Sequence, residues 1–251
     1  MSGRIRKATV RAVALTLVCC AATAGCGSGN ETTGLEQVGT PSPTAEASTA
    51  AGASADQLVA QANDTMRSLG FTAVGTTTSF DGGMTVIEWN PDQGLHMTYS
   101  ATADSRQELF CKGSTQYTSA SMAAKALESS RNIHITVPDR IADKYVESTL
   151  QEPQTCQSLF LIPEGGAFAP EKDATVNGVR SRAVAYASPR VTDVYYISVD
   201  EPARLMKLRS TANGRTSNTI YSGFGKKPAI TFPRPDQILT MSEFRSEVTV
   251  S

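Results

Sequence analysis

Beyond Gly70 the chain breaks into short runs of Val, Ile, Thr and aromatic residues: "FTAVGTTTSF", "MTVIEWN", "LHMTYSA" and "QELFCKGSTQYTS", punctuated by the turn sequences "DGG" and "PDQG". Period-two runs of this length, joined by two to four turn residues, are hairpin-connected strands. An antiparallel meander is therefore predicted. The pattern resumes in "ATVNGVRSRAVAYAS", "TDVYYISVD", "RLMKLRS" and "NTIYSGFG", with Asn177-Gly178 and Asn213-Gly214 at tight-turn positions. Asn and Gly suit a two-residue hairpin loop because it needs positive φ at its centre.

Helical signals bracket and divide these strands. "SADQLVAQANDTMRSLG" opens on Ser54 with Gln57 three residues later, repeats Val59, Ala62, Met66 and Leu69 at helical spacing, and closes at Gly70. That pattern predicts one amphipathic helix with a capping box. Between Ser121 and Glu164 the alternation lapses. "SMAAKALESS" and "TCQSLFLI" read as short helices and "DRIADKYVESTL" as irregular or partly helical. The order helix, strands, helices, strands predicts an α+β domain over residues 55–251, with helices laid on one face of a sheet.

The first residues constrain location. Arg4, Arg6, Lys7 and Arg11 precede an apolar run that ends in small residues near Gly25. This is the pattern of a secretory signal peptide over residues 1–25, and the run is shorter than the roughly 20 residues of a membrane-spanning helix. Cys26 follows Ala24 and Gly25 and precedes polar sequence, an arrangement that resembles the lipobox of bacterial lipoproteins. The resemblance implies a Cys26 acylated on sulfur that becomes the first residue of the mature chain. Cys19 and Cys20 read as ordinary residues of the apolar run. Two or three acyl chains, each CH₂ contributing about 0.8 kcal/mol, hold a protein on a membrane where one does not. The expected location is the extracytoplasmic face of the plasma membrane. Residues 26–54 are dominated by Gly, Ser, Thr, Ala and Pro and contain no aromatic, so they are expected to form a disordered linker reaching about 30 Å.

Charge and motifs narrow the chemistry. The formal net charge of the whole chain is -1, and loss of the leader removes four positive charges and no negative one, leaving -5. No cluster of Lys and Arg with interleaved aromatics marks a nucleic-acid surface. The two histidines, His96 and His134, have no Cys, His or carboxylate pair at ligand spacing, so neither a metal nor another cofactor is expected. No nucleophile elbow, phosphate-binding loop or zinc-protease motif occurs. Glu88 beside Trp89 has no second carboxylate at defined spacing. An enzyme is not expected. Cys111 and Cys156 remain after the leader, and outside the membrane such a pair is expected to bridge. Two buried thiols are the alternative.

Several strands carry apolar residues on both faces. In "MTVIEW", Met84 and Val86 oppose Ile87 and Trp89; in "VYYISV", Val194 and Tyr196 oppose Tyr195, Ile197 and Val199. A sheet with one solvated face alternates more cleanly. Two outcomes are open: a packed core, or an apolar cavity between sheet and helices. By alternation the cavity positions are Val86, Met97, Tyr99 and Leu109 from the first strands, Met122 and Leu127 from the middle helix, Leu159 and Phe160 from "TCQSLFLI", and Tyr196 and Leu208 from the last strands.

Over residues 55–242 the segments "SLGFTAVGTTT", "DKYVES", "TCQSLFLI", "VNGVRSRAVAY", "VYYISVDEPARLMKL" and "TIYSGFGKKPAITFPRPDQILTM" resemble actinobacterial lipoproteins with a LolA-like fold, the LppX/LprG glycolipid-carrier group. That resemblance implies an antiparallel β half-barrel whose concave face is covered by helices, with "YSGFGK" and "PAITF" as strands near the end. It also implies a membrane-anchored lipoprotein that binds or shuttles a lipid or glycolipid and is not an enzyme. The other expectation is an interaction module with a filled core, docking to an envelope protein partner such as a sensor or transporter.

Overall fold

Ser54 caps the first helix as its sequence predicts: its side chain accepts from Gln57 N–H (3.1 Å), and the Gln57 side chain accepts from Ser54 N–H (2.9 Å). The computed structural model describes residues 54–78, 82–102, 105–131 and 133–251, all of them within a unit that runs from Thr49 to Ser251. Cys26, the expected leader and the expected linker up to residue 53 lie outside the described residues. Helix α1 (Ala55–Ser68) buries Leu58, Val59, Ala62, Asn63 and Met66, one face of a 3.6-residue repeat.

Five strands follow: β1 (Phe71–Thr76), β2 (Met84–Asn90), β3 (Gly94–Ser100), β4 (Arg106–Lys112) and β5 (Thr115–Ser119), each antiparallel to the one before it. Helix α2 (Ala120–Arg131), a two-residue β6 (Ile135–Thr136) and β7 (Tyr145–Thr149) make the middle section. The second set comprises β8 (Ala167–Phe168), β9 (Ala174–Val176), β10 (Val179–Ala187), β11 (Val191–Ser198), β12 (Leu205–Ala212) and β13 (Arg215–Ser222). The chain ends in β14 (Ile238–Thr240), helix α3 (Met241–Glu247) and β15 (Thr249–Val250). Asn177 and Gly178 (φ 50° and 81°) and Asn213 and Gly214 (φ 51° and 74°) make the two tight turns.

The main sheet runs β14-β7-β5-β4-β3-β2-β1-β13-β12-β11-β10-β8, with β9 also on β10. β1 pairs with β13, so the two meanders join at the centre. The end strands β14 and β8 do not pair with each other, which leaves the sheet an unclosed half-barrel. The fold is α+β. Among the described residues only β14 runs parallel to its neighbour, β7. Helix α1 packs against β11 and β12, and α2 against β4, β5 and β7.

Four segments differ from the sequence reading: of "YSGFGK", only Tyr221 and Ser222 lie in a strand, at the end of β13. "DRIADKYVESTL" forms a 3-10 turn at Asp139–Ile141 and then the strand β7, because β5 presents a backbone edge that Tyr145–Thr149 satisfies along its whole length. "PAITF" is not a strand. Two of its backbone groups bond instead to side chains at the end of β2 and in the β2–β3 turn: Asn90 Nδ2 donates to Pro228 O (2.9 Å), and Ile230 N–H donates to Gln93 Oε1 (2.8 Å). "QELFCKGSTQYTS" holds two strands, β4 and β5, rather than one.

Candidate functional site

Strand parity sorts the sheet into two faces. On the helix-covered face, Phe71 lies opposite Trp89, Trp89 opposite Leu95, and Leu95 opposite Cys111. One rung along, Tyr221, Ala73, Ile87, Met97 and Leu109 form a second apolar row. These residues and the α1 face make one buried cluster with Phe160, Ile162, Ile197 and Leu205. Fully burying a side chain of this size contributes about 1.5–3 kcal/mol, so this face anchors the fold as well as the candidate site.

The segment Cys156–Ile162 closes one end of that face. Phe160 fits between Phe71 (centroids 5.1 Å apart, interplanar angle 81°) and Trp89 (5.0 Å, 50°). Trp89 Nε1 donates to Arg67 O at the end of α1 (3.3 Å). Two devices hold the segment. Cys111 and Cys156 form a disulfide to β4, and Asn63 of α1 makes a reciprocal pair of hydrogen bonds with the main chain of Ile162. Beside it opens a cleft of about 820 Å³ between the β2–β3 turn, the β4–β5 turn and residues 152–157, whose walls include Trp89, Gly94, Lys112, Glu152 and Cys156. Trp89 and Cys156 belong to the buried cluster, so the cleft reaches the apolar face.

Six of the ten positions predicted to line a cavity come together here. Met97, Leu109, Met122 and Phe160 are buried in the cluster, and Tyr99 and Leu208 pack at its margin. The other four do not. Val86 lies opposite Val74 and Thr98 on the other face of the sheet, because Ile87 and Trp89 take the inward parity. Tyr196 packs on that other face with Val194 and Met206, while Tyr195 points inward. Leu127 joins a separate cluster with Val146 and Phe244, and Leu159 is 37% exposed. Sequence reasoning missed Phe71, Trp89 and Tyr195 as site residues: alternation groups Trp89 with Ile87 and Tyr195 with Ile197, but leaves open which face of each strand is inward.

The opposite face carries a polar array around His96. Its Nδ1 is 3.0 Å from Glu88 Oε2, and its Nε2 is 3.0 Å from Glu108 Oε1. The ring stacks on Phe110 (4.3 Å, 7°). Arg106 and Tyr145 donate to the two Glu108 oxygens, each at 2.7 Å. Burial works to raise the Glu108 carboxyl, but the hydrogen bonds from Tyr145, Arg106 and His96 outweigh it and hold it below the ordinary range. Burial and then Glu108 itself push the Tyr145 phenol up. Cross-strand pairing thus supplies the second carboxylate that linear spacing did not reveal. His134, the other histidine, is exposed, with its Nδ1 2.9 Å from Glu128 Oε1.

Among the described residues no group of three or more His, Cys, Asp and Glu is placed to hold a metal ion. No helix among them is long and apolar enough to cross a membrane.

No family model and no curated protein sequence matches the chain. Solved structures do. LprF from Mycobacterium bovis matches over 72% of this chain and 96% of its own, at 11% identity and a TM-score of 0.38. The Mycobacterium tuberculosis lipoprotein LppX matches over 69% and 98%, at 12% identity and 0.40. MucB, in a complex with MucA(peri), matches over 71% of this chain at 9% identity and 0.39, and this chain covers 58% of it.

Proposed function

We propose that the chain binds an amphiphile between the helix-covered face of its sheet and the Cys156–Ile162 segment, while an acylated Cys26 tethers it to the extracytoplasmic face of a membrane. One observation carries the reading: the 820 Å³ cleft leads to Trp89 and Cys156, and so onto two apolar rows that cross adjacent strands. The cleft volume matches the size of small-molecule sites. Phe160 occupies the space between Phe71 and Trp89, so a bound chain displaces it. Met97 and Met122, unbranched and adaptable, accommodate the change. The driving force is desolvation, at roughly 25 cal/mol per Å² of apolar surface removed from water. Holding or shuttling a lipid or glycolipid needs no catalytic group.

The test is native mass spectrometry of the chain purified from its own membrane, with lipid extraction and titration of the intrinsic fluorescence. Trp89 is the sole tryptophan, so its emission reports on the cleft directly. A bound mass that extraction identifies as lipid, together with a shift in Trp89 emission on re-addition, supports the reading. A ligand-free mass and an unchanged spectrum with every lipid tried overturn it.

A second reading rests on the opposite face, where Val74 and Met84 are 41% and 49% exposed. These apolar residues fit docking to an envelope protein partner. Cross-linking in cells from residue 74 or 84 to a single partner, with no lipid on the purified chain, favours it.

A further inference from the structure

The helix-covered face is not apolar throughout. Along the strands from Trp89 and Leu95, the third rung reads Thr219, Gly75, Thr85, Tyr99 and Gln107 across β13, β1, β2, β3 and β4. On the neighbouring strands the next rung places Asp193 opposite Ser210, and Ser210 opposite Ser217. Thr85, Gln107, Ser217 and Thr219 are between 6% and 8% exposed. The adjacent rung, two residues along each strand, is the apolar row of Tyr221, Ala73, Ile87, Met97 and Leu109. A buried polar band of this kind destabilises a fold unless each group has a partner.

Two atoms in the band have none among the described residues: Thr85 Oγ1 and Asp193 Oδ1, both shut off from solvent. Gly75, between Thr219 and Thr85, contributes no side chain that could supply one. Asp193 carries a carboxylate, which only accepts, so its partner must donate. No Lys or Arg stands at any of these eight positions. The band therefore suits a neutral or cationic donor and disfavours an anion.

We propose that this band is a polar subsite that takes a hydrogen-bond-donating headgroup, a hydroxyl or an ammonium, with Thr85 and Asp193 as its acceptors. The inference rests on the amphiphile-binding reading and adds the ligand's headgroup class and orientation. Thr85 is four residues from Trp89 in one strand, a span of about 13 Å. The ligand's apolar chain runs along that span toward the cleft, and its polar end lies at the band.

Three single-chain probes of equal length test this on the purified chain, followed by Trp89 fluorescence: monopalmitoylglycerol, hexadecylamine and methyl palmitate. At least one of the two donor probes is expected to bind about tenfold more tightly than methyl palmitate, the equivalent of one charge-assisted hydrogen bond, and which one does so separates hydroxyl from ammonium. Thr85→Val and Asp193→Ala, which remove the two acceptors, are expected to bring the donor probe within about threefold of methyl palmitate. Thr85→Val is also expected to keep or raise thermal stability, since it removes an unpaired buried hydroxyl, so lost binding cannot be ascribed to unfolding. Equal binding of all three probes overturns the subsite and leaves the amphiphile reading intact. A preference that survives both substitutions also overturns it, and no binding by any probe overturns both.

Discussion

Asn63 and Ile162 hold each other by two hydrogen bonds: Asn63 Nδ2 donates to Ile162 O (2.8 Å), and Ile162 N–H donates to Asn63 Oδ1 (2.9 Å). They are 99 residues apart in sequence and join α1 to the segment that carries Phe160. Asn63→Leu keeps the branching at Cγ and leaves both main-chain groups of Ile162 unpaired at a residue 2% exposed. Urea unfolding is expected to show a loss of about 2–4 kcal/mol. A loss below about 0.5 kcal/mol would mean that water replaces the side chain and that the segment is not clamped.

The disulfide adds a second restraint of a different kind. Cys111 and Cys156 are 45 residues apart, and a bridge over a loop of that length restricts the unfolded chain by about 4 kcal/mol. Replacing both with Ala is expected to lower stability by up to that amount, measured under oxidising conditions. Single Cys→Ala variants and the double variant are expected to be equally unstable, because either one removes the bridge. A wild-type protein whose melting does not respond to reductant contradicts this.

Adjacent residues on β2 provide a direct assay of strand parity. Ile87 is 6% exposed within the core cluster, whereas Val86 faces Val74 on the other side of the sheet. Ile87→Ala is expected to destabilise by about 3 kcal/mol and Val86→Ala by less than about 1 kcal/mol. Binding of an amphiphile is expected to change only in the former. The reverse ranking would place the apolar site on the opposite face.

Local signals made much of this fold legible. The Ser54-Gln57 cap and the two Asn-Gly turns are short-range chemistry, and each stands where the sequence puts it. Period two likewise fixes which residues share a face. What alternation does not state is which face is inward when both are apolar: Val86 and Ile87, or Tyr195 and Tyr196, are equally hydrophobic, and only the position of α1 decides between them. Tyr145–Thr149 was obscured for a related reason. Its Lys144 and Glu147 give a helix-like charge spacing, and the edge of β5 that makes it a strand is 26 or more residues earlier in sequence. The polar band of Thr85, Tyr99 and Gln107 is invisible to a linear reading, because its members meet only through the registers of β2, β3 and β4.

The Glu108 array predicts how stability depends on pH. In the folded chain, hydrogen bonds from Tyr145, Arg106 and His96 more than offset the burial that raises the Glu108 carboxyl, so it gives up its proton more readily than in the unfolded chain, whose value is near 4.5. As pH falls, the unfolded state takes up a proton first. The contribution of Glu108 is therefore fully present above that value and is lost as pH falls through the lower folded value. Tyr145 has the opposite sign. Burial, then the bond to Glu108, raises its phenol above the ordinary value of 10.0, so its contribution is complete below that pH and is lost as pH rises beyond it. Urea midpoints between about pH 3 and 5 are expected to fall less steeply for Glu108→Gln than for the parent chain. Tyr145→Phe removes one of the bonds that lower Glu108 and is expected to move the acid limb to higher pH. The same variant flattens the alkaline limb. Parallel acid limbs in the parent and both variants would mean that the array does not hold Glu108 below its ordinary value, and that carboxylates elsewhere set the acid stability.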